Sequence, residues 1–237
     1  MQDVTPPQIR AFFSNSPSLT NVHILLDPRG KTLSHAYVEF NDEEAARAAL
    51  RGAQKNTVLG KGKRSRGVTV TRTDQAELMR NLFPSWKGTF DGSRPSLSGL
   101  PNNPAVITAL ETGLLTPTEL SALQHLIRSP AAHFLKAPEL PFWKLVGLLK
   151  KFPVDGDSRV FWGGVVREGL FGVLVGALGV LVGRLGEAGG EEEEGELVKE
   201  VFDAGMRCEG SYGCSYLFYF NCADVNVQPS LLNKERN

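Results

Sequence analysis

The chain is poor in the residues that staple or metallate small proteins. Among 237 residues there are three cysteines, four histidines, three tryptophans and three methionines. Cys208, Cys214 and Cys222 lie six and eight residues apart with no C-x-x-C pair. A tetrahedral zinc site wants four ligands, and the nearest histidine, His133, is far upstream, so no metal site is expected. An odd cysteine count behind a polar N-terminus with no secretory signal points to reduced thiols in an intracellular protein.

Phosphate-loop, H-E-x-x-H and G-x-S-x-G patterns are also missing, and Gly60-Lys61-Gly62-Lys63 is too short to cradle a nucleotide. Catalysis and a bound cofactor are therefore not expected. A long apolar run is nearly missing too. Gly169 to Gly183 is uncharged for about fifteen residues, short of the roughly twenty that span a bilayer, and reads as a buried core helix. Its glycines at 172, 176, 179 and 183 suit close helix packing.

What is present is ordinary globular composition, 41% hydrophobic and 22% charged, enough to bury a core. Net charge is zero, but it is divided unevenly. Residues 1–90 hold thirteen basic against eight acidic side chains, and residues 91–237 hold thirteen against eighteen. A polyanion would meet the first part.

Thr5-Pro6-Pro7 starts a short helix with Ile9, Ala11, Phe12 and Phe13 on its apolar side, ended by Pro17. Val22 to Leu26 and Ala36 to Phe40 read as strands joined by Asp27-Pro28-Arg29-Gly30-Lys31, a hairpin. Asn41 or Asp42 caps a second helix, which Gly52 stops. A basic loop, Lys55 to Gly67, leads to a last strand at Val68 to Thr71. Residues 74–83 suggest a short helix, and 85–102, rich in Ser, Gly and Pro, a linker. Beyond it the spacing is helical over 103–113, 116–128, 141–152, 159–185 and 196–206, with an acidic loop at 189–195. The tail from 208 to 237, including Tyr216 to Phe220, matches no unit.

Leu33-Ser34-His35-Ala36-Tyr37-Val38-Glu39-Phe40 resembles the octapeptide of RNA-recognition-motif (RRM) proteins at Ala36, Tyr37, Val38 and Phe40. Leu33 replaces its basic residue, Ser34 its glycine, and His35 an aromatic. With the basic loop and the run from Val68 to Met79, residues 5–90 are similar to the quasi-RRM of the heterogeneous nuclear ribonucleoprotein F/H class and its fungal relatives. The fold so implied is α+β: a ferredoxin-like RRM over 5–84 lacking its first strand, then an all-helical domain over 103–207. Strand alternation would turn Leu33, His35, Tyr37 and Glu39 onto an open sheet face.

The resemblance further implies a nuclear protein of pre-mRNA processing that binds single-stranded, G-rich RNA, with protein partners on the helical domain. Arg29 and Lys31 in the hairpin, Lys63, Arg64 and Arg66 before the last strand, and His35 and Tyr37 on the face are the candidate RNA contacts. The other reading of the same residues is a decayed RRM that binds protein, with Tyr37 an ordinary strand residue and the basic loop a solvated turn.

Overall fold

A computed structural model describes residues 4–16, 18–55, 58–60, 65–129, 133–152, 164–188 and 192–208. Helix α1, Pro6–Phe12, starts where two prolines occupy its first turn and the Gln8 side chain accepts from the Thr5 amide at 3.3 Å. Strands β1, Leu19–Leu26, and β2, Thr32–Phe40, pair antiparallel with His23 opposite Tyr37 and Ile24 opposite Ala36. Their turn is held by Asp27, whose Oδ1 accepts from the amides of Arg29 and Lys31, both at 2.9 Å. Gly30 supplies the left-handed residue there, at φ 86°.

Helix α2, Glu43–Lys55, is capped by Asp42, whose Oδ1 accepts from the Ala45 amide at 2.8 Å. It runs three residues past Gly52. That glycine stays in the helix at the cost of about 1 kcal/mol of propensity, although a Cβ there would meet nothing within 4 Å. The last expected strand also differs. Val58–Leu59 (β3) pairs with Arg66–Gly67 (β4), while Val68 to Thr71 joins no ladder and buries Val68 and Val70 partly. Among the described residues the strands form three separate two-stranded sheets, so no three- or four-stranded ferredoxin-like sheet is assembled.

Helix α3, Gln75–Leu82, is capped by Asp74, which accepts from the Glu77 amide at 2.8 Å. After it, the segment read as a linker holds a hairpin, β5 Thr89–Asp91 and β6 Arg94–Ser96. Composition there is that of a loop, but two aromatics fix it. Trp86 and Phe90 are buried, and the Trp86 ring N–H donates to the Thr89 carbonyl at 2.9 Å.

The helices that follow match their spacing over the described residues, with 159–163 of the expected fourth helix lying outside them. They are α4, Asn103–Thr112; α5, Pro117–Arg128; α6, Leu140–Lys151; α7, Gly164–Ala188; and α8, Glu192–Arg207. Thr116 and Glu119 close a capping box at the start of α5. Helix α8 begins earlier than its apolar spacing suggests and takes in residues 192–195 of the expected acidic loop.

Two apolar clusters meet across β1 and β2. The smaller puts Val22, Ile24 and Leu26 against Ile9 of α1, Phe13 at its C-cap, and Ala49 and Ala53 of α2. In the larger, Leu25 and Tyr37 join α3, the β5–β6 hairpin and helices α5 to α8. The larger cluster takes in residues on both sides of 85–102, and α6 packs directly on β1.

Helix α7 buries Leu170, Val173, Leu174, Ala177, Leu178 and Leu181 where it meets α5 and α8, as a core helix does. The helix is longer than its uncharged run. Gly164–Gly186, 23 residues that include an 18-residue stretch of mean hydropathy 2.0, is long and apolar enough to cross a membrane, and a third of that stretch is buried.

Candidate nucleic-acid interface

The octapeptide strand alternates as its sequence requires, with Ala36, Val38 and Phe40 packed toward α1 and α2 and Tyr37 on the opposite face. That opposite face is covered. Tyr37 is 8% exposed, and its hydroxyl accepts from Asn81 Nδ2 at 2.9 Å and donates to Glu77 Oε1 at 3.4 Å. Burial, reinforced by the neighbouring Glu77 carboxylate, raises the phenol above its ordinary value. The position expected to stack a base is filled by α3, because Leu78, Met79 and Leu82 need an apolar surface and the sheet supplies it. His35 does remain exposed, edge-to-face with Tyr37 at 5.4 Å between centroids.

Beside Tyr37 lies a polar cluster that the octapeptide does not announce. His23, 1% exposed on β1, sits 2.7 Å from Glu39 Oε2. Glu39 also accepts from Asn21 Nδ2 at 3.2 Å and Gln75 Nε2 at 2.7 Å, and pairs with Lys151 of α6. Burial alone would raise its carboxyl, but the hydrogen bonds from His23 and Lys151 outweigh burial and lower it to about 2. Gly147 lets α6 come close, since a Cβ there would stand 3.2 Å from His23 Nδ1. The signal for this cluster was available in β1, where Asn21 and His23 alternate with Val22 and Ile24. Its partners on α3 and α6 were not, being 36 to 112 residues away from Glu39 in sequence.

The cationic candidates are distributed differently. Arg29 and Lys31 are both exposed at the hairpin tip, which is pinned because Gly30 rests against Leu126 and Leu135. Arg66 is exposed on β4, while Lys63 and Arg64 lie outside the described residues. The structure thus brings His35 to Tyr37 and Arg29 to Lys31, and keeps Tyr37 from solvent.

A cleft of about 40 Å3 opens where β1, α3, α5 and α6 meet, walled by Leu25, Leu82, Leu115, Leu120 and Leu148. Lys144 reaches it, its ammonium donating to the Leu26 carbonyl at 2.9 Å. Burial lowers this amine below the ordinary lysine value, against the opposing pull of Glu119 and Asp27.

Residues 9–90, from α1 through the first strand of the β5–β6 hairpin, match the family model of a domain of unknown function, DUF8400. No curated protein and no solved structure matches the chain.

Proposed function

We propose that the chain binds single-stranded RNA, in pre-mRNA processing, and that it does so with loops rather than with its sheet face. The observation that supports this most is the hairpin of β1 and β2. An RRM-like octapeptide lies on β2, α1 and α2 share one face of the pair, and the tip presents Arg29 and Lys31 to solvent. Two exposed cations on a tip anchored against α5 can meet phosphates without moving the core. Arg66, with Lys63 and Arg64 beside it in sequence, extends the same chemistry.

The test is fluorescence anisotropy with a G-rich single-stranded RNA across a salt series. It uses the 237-residue chain, an Arg29→Ala/Lys31→Ala double variant, and a Lys63→Ala/Arg64→Ala/Arg66→Ala triple variant. Each lost phosphate contact should flatten the slope of log affinity against log salt by about 0.7. A folded wild-type chain with no salt-dependent binding rejects the reading.

One observation favours a second reading, an RRM-like unit turned protein-binding module. The face carrying Tyr37 and His23 is already occupied by protein, namely α3 and α6. Under that reading, binding to a protein partner persists at high salt while RNA is ignored.

A further inference from the structure

The β1–β2 tip does not stand alone. A Cβ on Gly30 would stand 3.5 Å from the Leu135 Cβ and 2.9 Å from the Leu126 side chain, so the turn between α5 and α6 is seated on the tip. The residues of that turn alternate. Leu135 and Leu140 are buried and Ala137 partly so, all in the cluster built on β1, while Phe134 and Lys136 are exposed. The Leu140 amide closes the turn on the Ala137 carbonyl at 3.2 Å. Phe134 is 42% exposed, with the His133 ring edge-to-face to it at 4.9 Å between centroids. Such a contact takes at most one of the two faces of the Phe134 ring.

Because Leu135 touches the tip, the Cα of Phe134 lies within about 10 Å of Gly30, which Arg29 and Lys31 flank. Those two cations and Lys136 are exposed, and none of the three forms an ion pair among the described residues. Two acids lie near them in sequence. Asp27 Oδ1 is taken by the amides of Arg29 and Lys31, and Glu139 stands half-buried at the start of α6. Single-strand sites combine such cations with an aromatic face on which a base stacks. Tyr37 cannot supply that face beneath α3, whereas Phe134 stands beside the cations with one face open.

We propose that the Phe134 ring stacks a base of the RNA strand whose phosphates lie on Arg29, Lys31 and Lys136. The inference rests on the RNA-binding reading above and deepens it, placing the stacking group in the turn between α5 and α6, outside residues 9–90.

Fluorescence anisotropy compares the wild-type chain with Phe134→Leu, Phe134→Trp and Lys136→Ala. Each is titrated across a salt series with a G-rich single-stranded RNA and with an oligomer of the same length whose bases are replaced by abasic sites. Phe134→Leu keeps an apolar side chain and removes the aromatic face, so affinity for the RNA should fall about 5- to 100-fold with its salt slope unchanged. Affinity for the abasic oligomer should stay where it was. Phe134→Trp should bind the RNA at least as tightly as the wild type. Lys136→Ala should flatten the slope of log affinity against log salt by about 0.7 on both oligomers. RNA binding that Phe134→Leu leaves unchanged overturns the inference, as does an equal loss on the abasic oligomer or an unchanged slope in Lys136→Ala. In each of these cases the wild-type chain still binds RNA and the broader reading stands. A folded wild-type chain with no salt-dependent RNA binding overturns both.

Discussion

The two faces of the β1–β2 hairpin are covered by opposite means. On one, Val22, Ile24 and Leu26 meet α1 and α2, elements within thirty residues on either side, mainly through apolar contact, with one hydrogen bond from Arg10 to the Thr20 carbonyl at 3.3 Å. On the other, His23, Tyr37 and Glu39 meet α3 and α6 through hydrogen bonds and an ion pair, with partners as distant as Lys151. An apolar face tolerates any shape-matched cover, whereas a polar one must have each donor and acceptor answered. The first is therefore held mainly by transfer of area from water. The second is held by a few groups whose loss leaves charges stranded.

Glu39 is the group on which that difference turns. Glu39→Ala removes the acceptor shared by Asn21, His23, Gln75 and Lys151, and breaking a buried pair from one side costs about 3–5 kcal/mol. Urea unfolding followed by tryptophan fluorescence should show this loss. A loss below about 1 kcal/mol would mean that the two faces are held alike.

Acid provides the next largest effect. The carboxyl of Glu39 is lowered from its ordinary 4.5 to about 2 in the folded chain, so its contribution is present above the unfolded value. Stability is then lost as pH falls from about 4.5 toward 2, by about 3 kcal/mol from this group. In Glu39→Gln the same window should be flatter by that amount in pH-dependent urea titrations. On the apolar face Ile24→Val removes one methylene at a 4% exposed site and should cost about 1 kcal/mol at every pH.

This asymmetry also explains what could be read from the sequence. The hairpin, α1 and the capped start of α5 followed from local rules: Asp27 and Gly30 in a turn, Thr5 and Thr116 ahead of prolines, apolar residues two apart. The β5–β6 hairpin was hidden because Ser, Gly and Pro dominate 85–102, and only the burial of Trp86 and Phe90 overrides them. The cover over Tyr37 was hidden for another reason. Alternation says that a side chain points away from the core it can see, but not that a helix 40 to 44 residues later lies on the far side. Lys144 on the Leu26 carbonyl is a contact of the same kind, across 118 residues.

The smallest effect sharpens the comparison most. Tyr37→Phe deletes a hydroxyl that accepts from Asn81 and donates to Glu77, while Asn81 Nδ2 keeps its bond to the Glu77 carbonyl at 2.9 Å. One net hydrogen bond is worth about 1 kcal/mol, so thermal unfolding should shift by a few degrees. Phenylalanine stacks on a base as well as tyrosine does, so this change by itself does not report on RNA. Paired with Tyr37→Ala it does. If loops alone meet the RNA, affinity per folded molecule is the same in both variants, although alanine destabilises the core by about 3–5 kcal/mol. If the face opens to stack bases, alanine lowers affinity by a further 1–3 kcal/mol and phenylalanine leaves it unchanged. That pattern would transfer the RNA reading from the hairpin tip to the covered face.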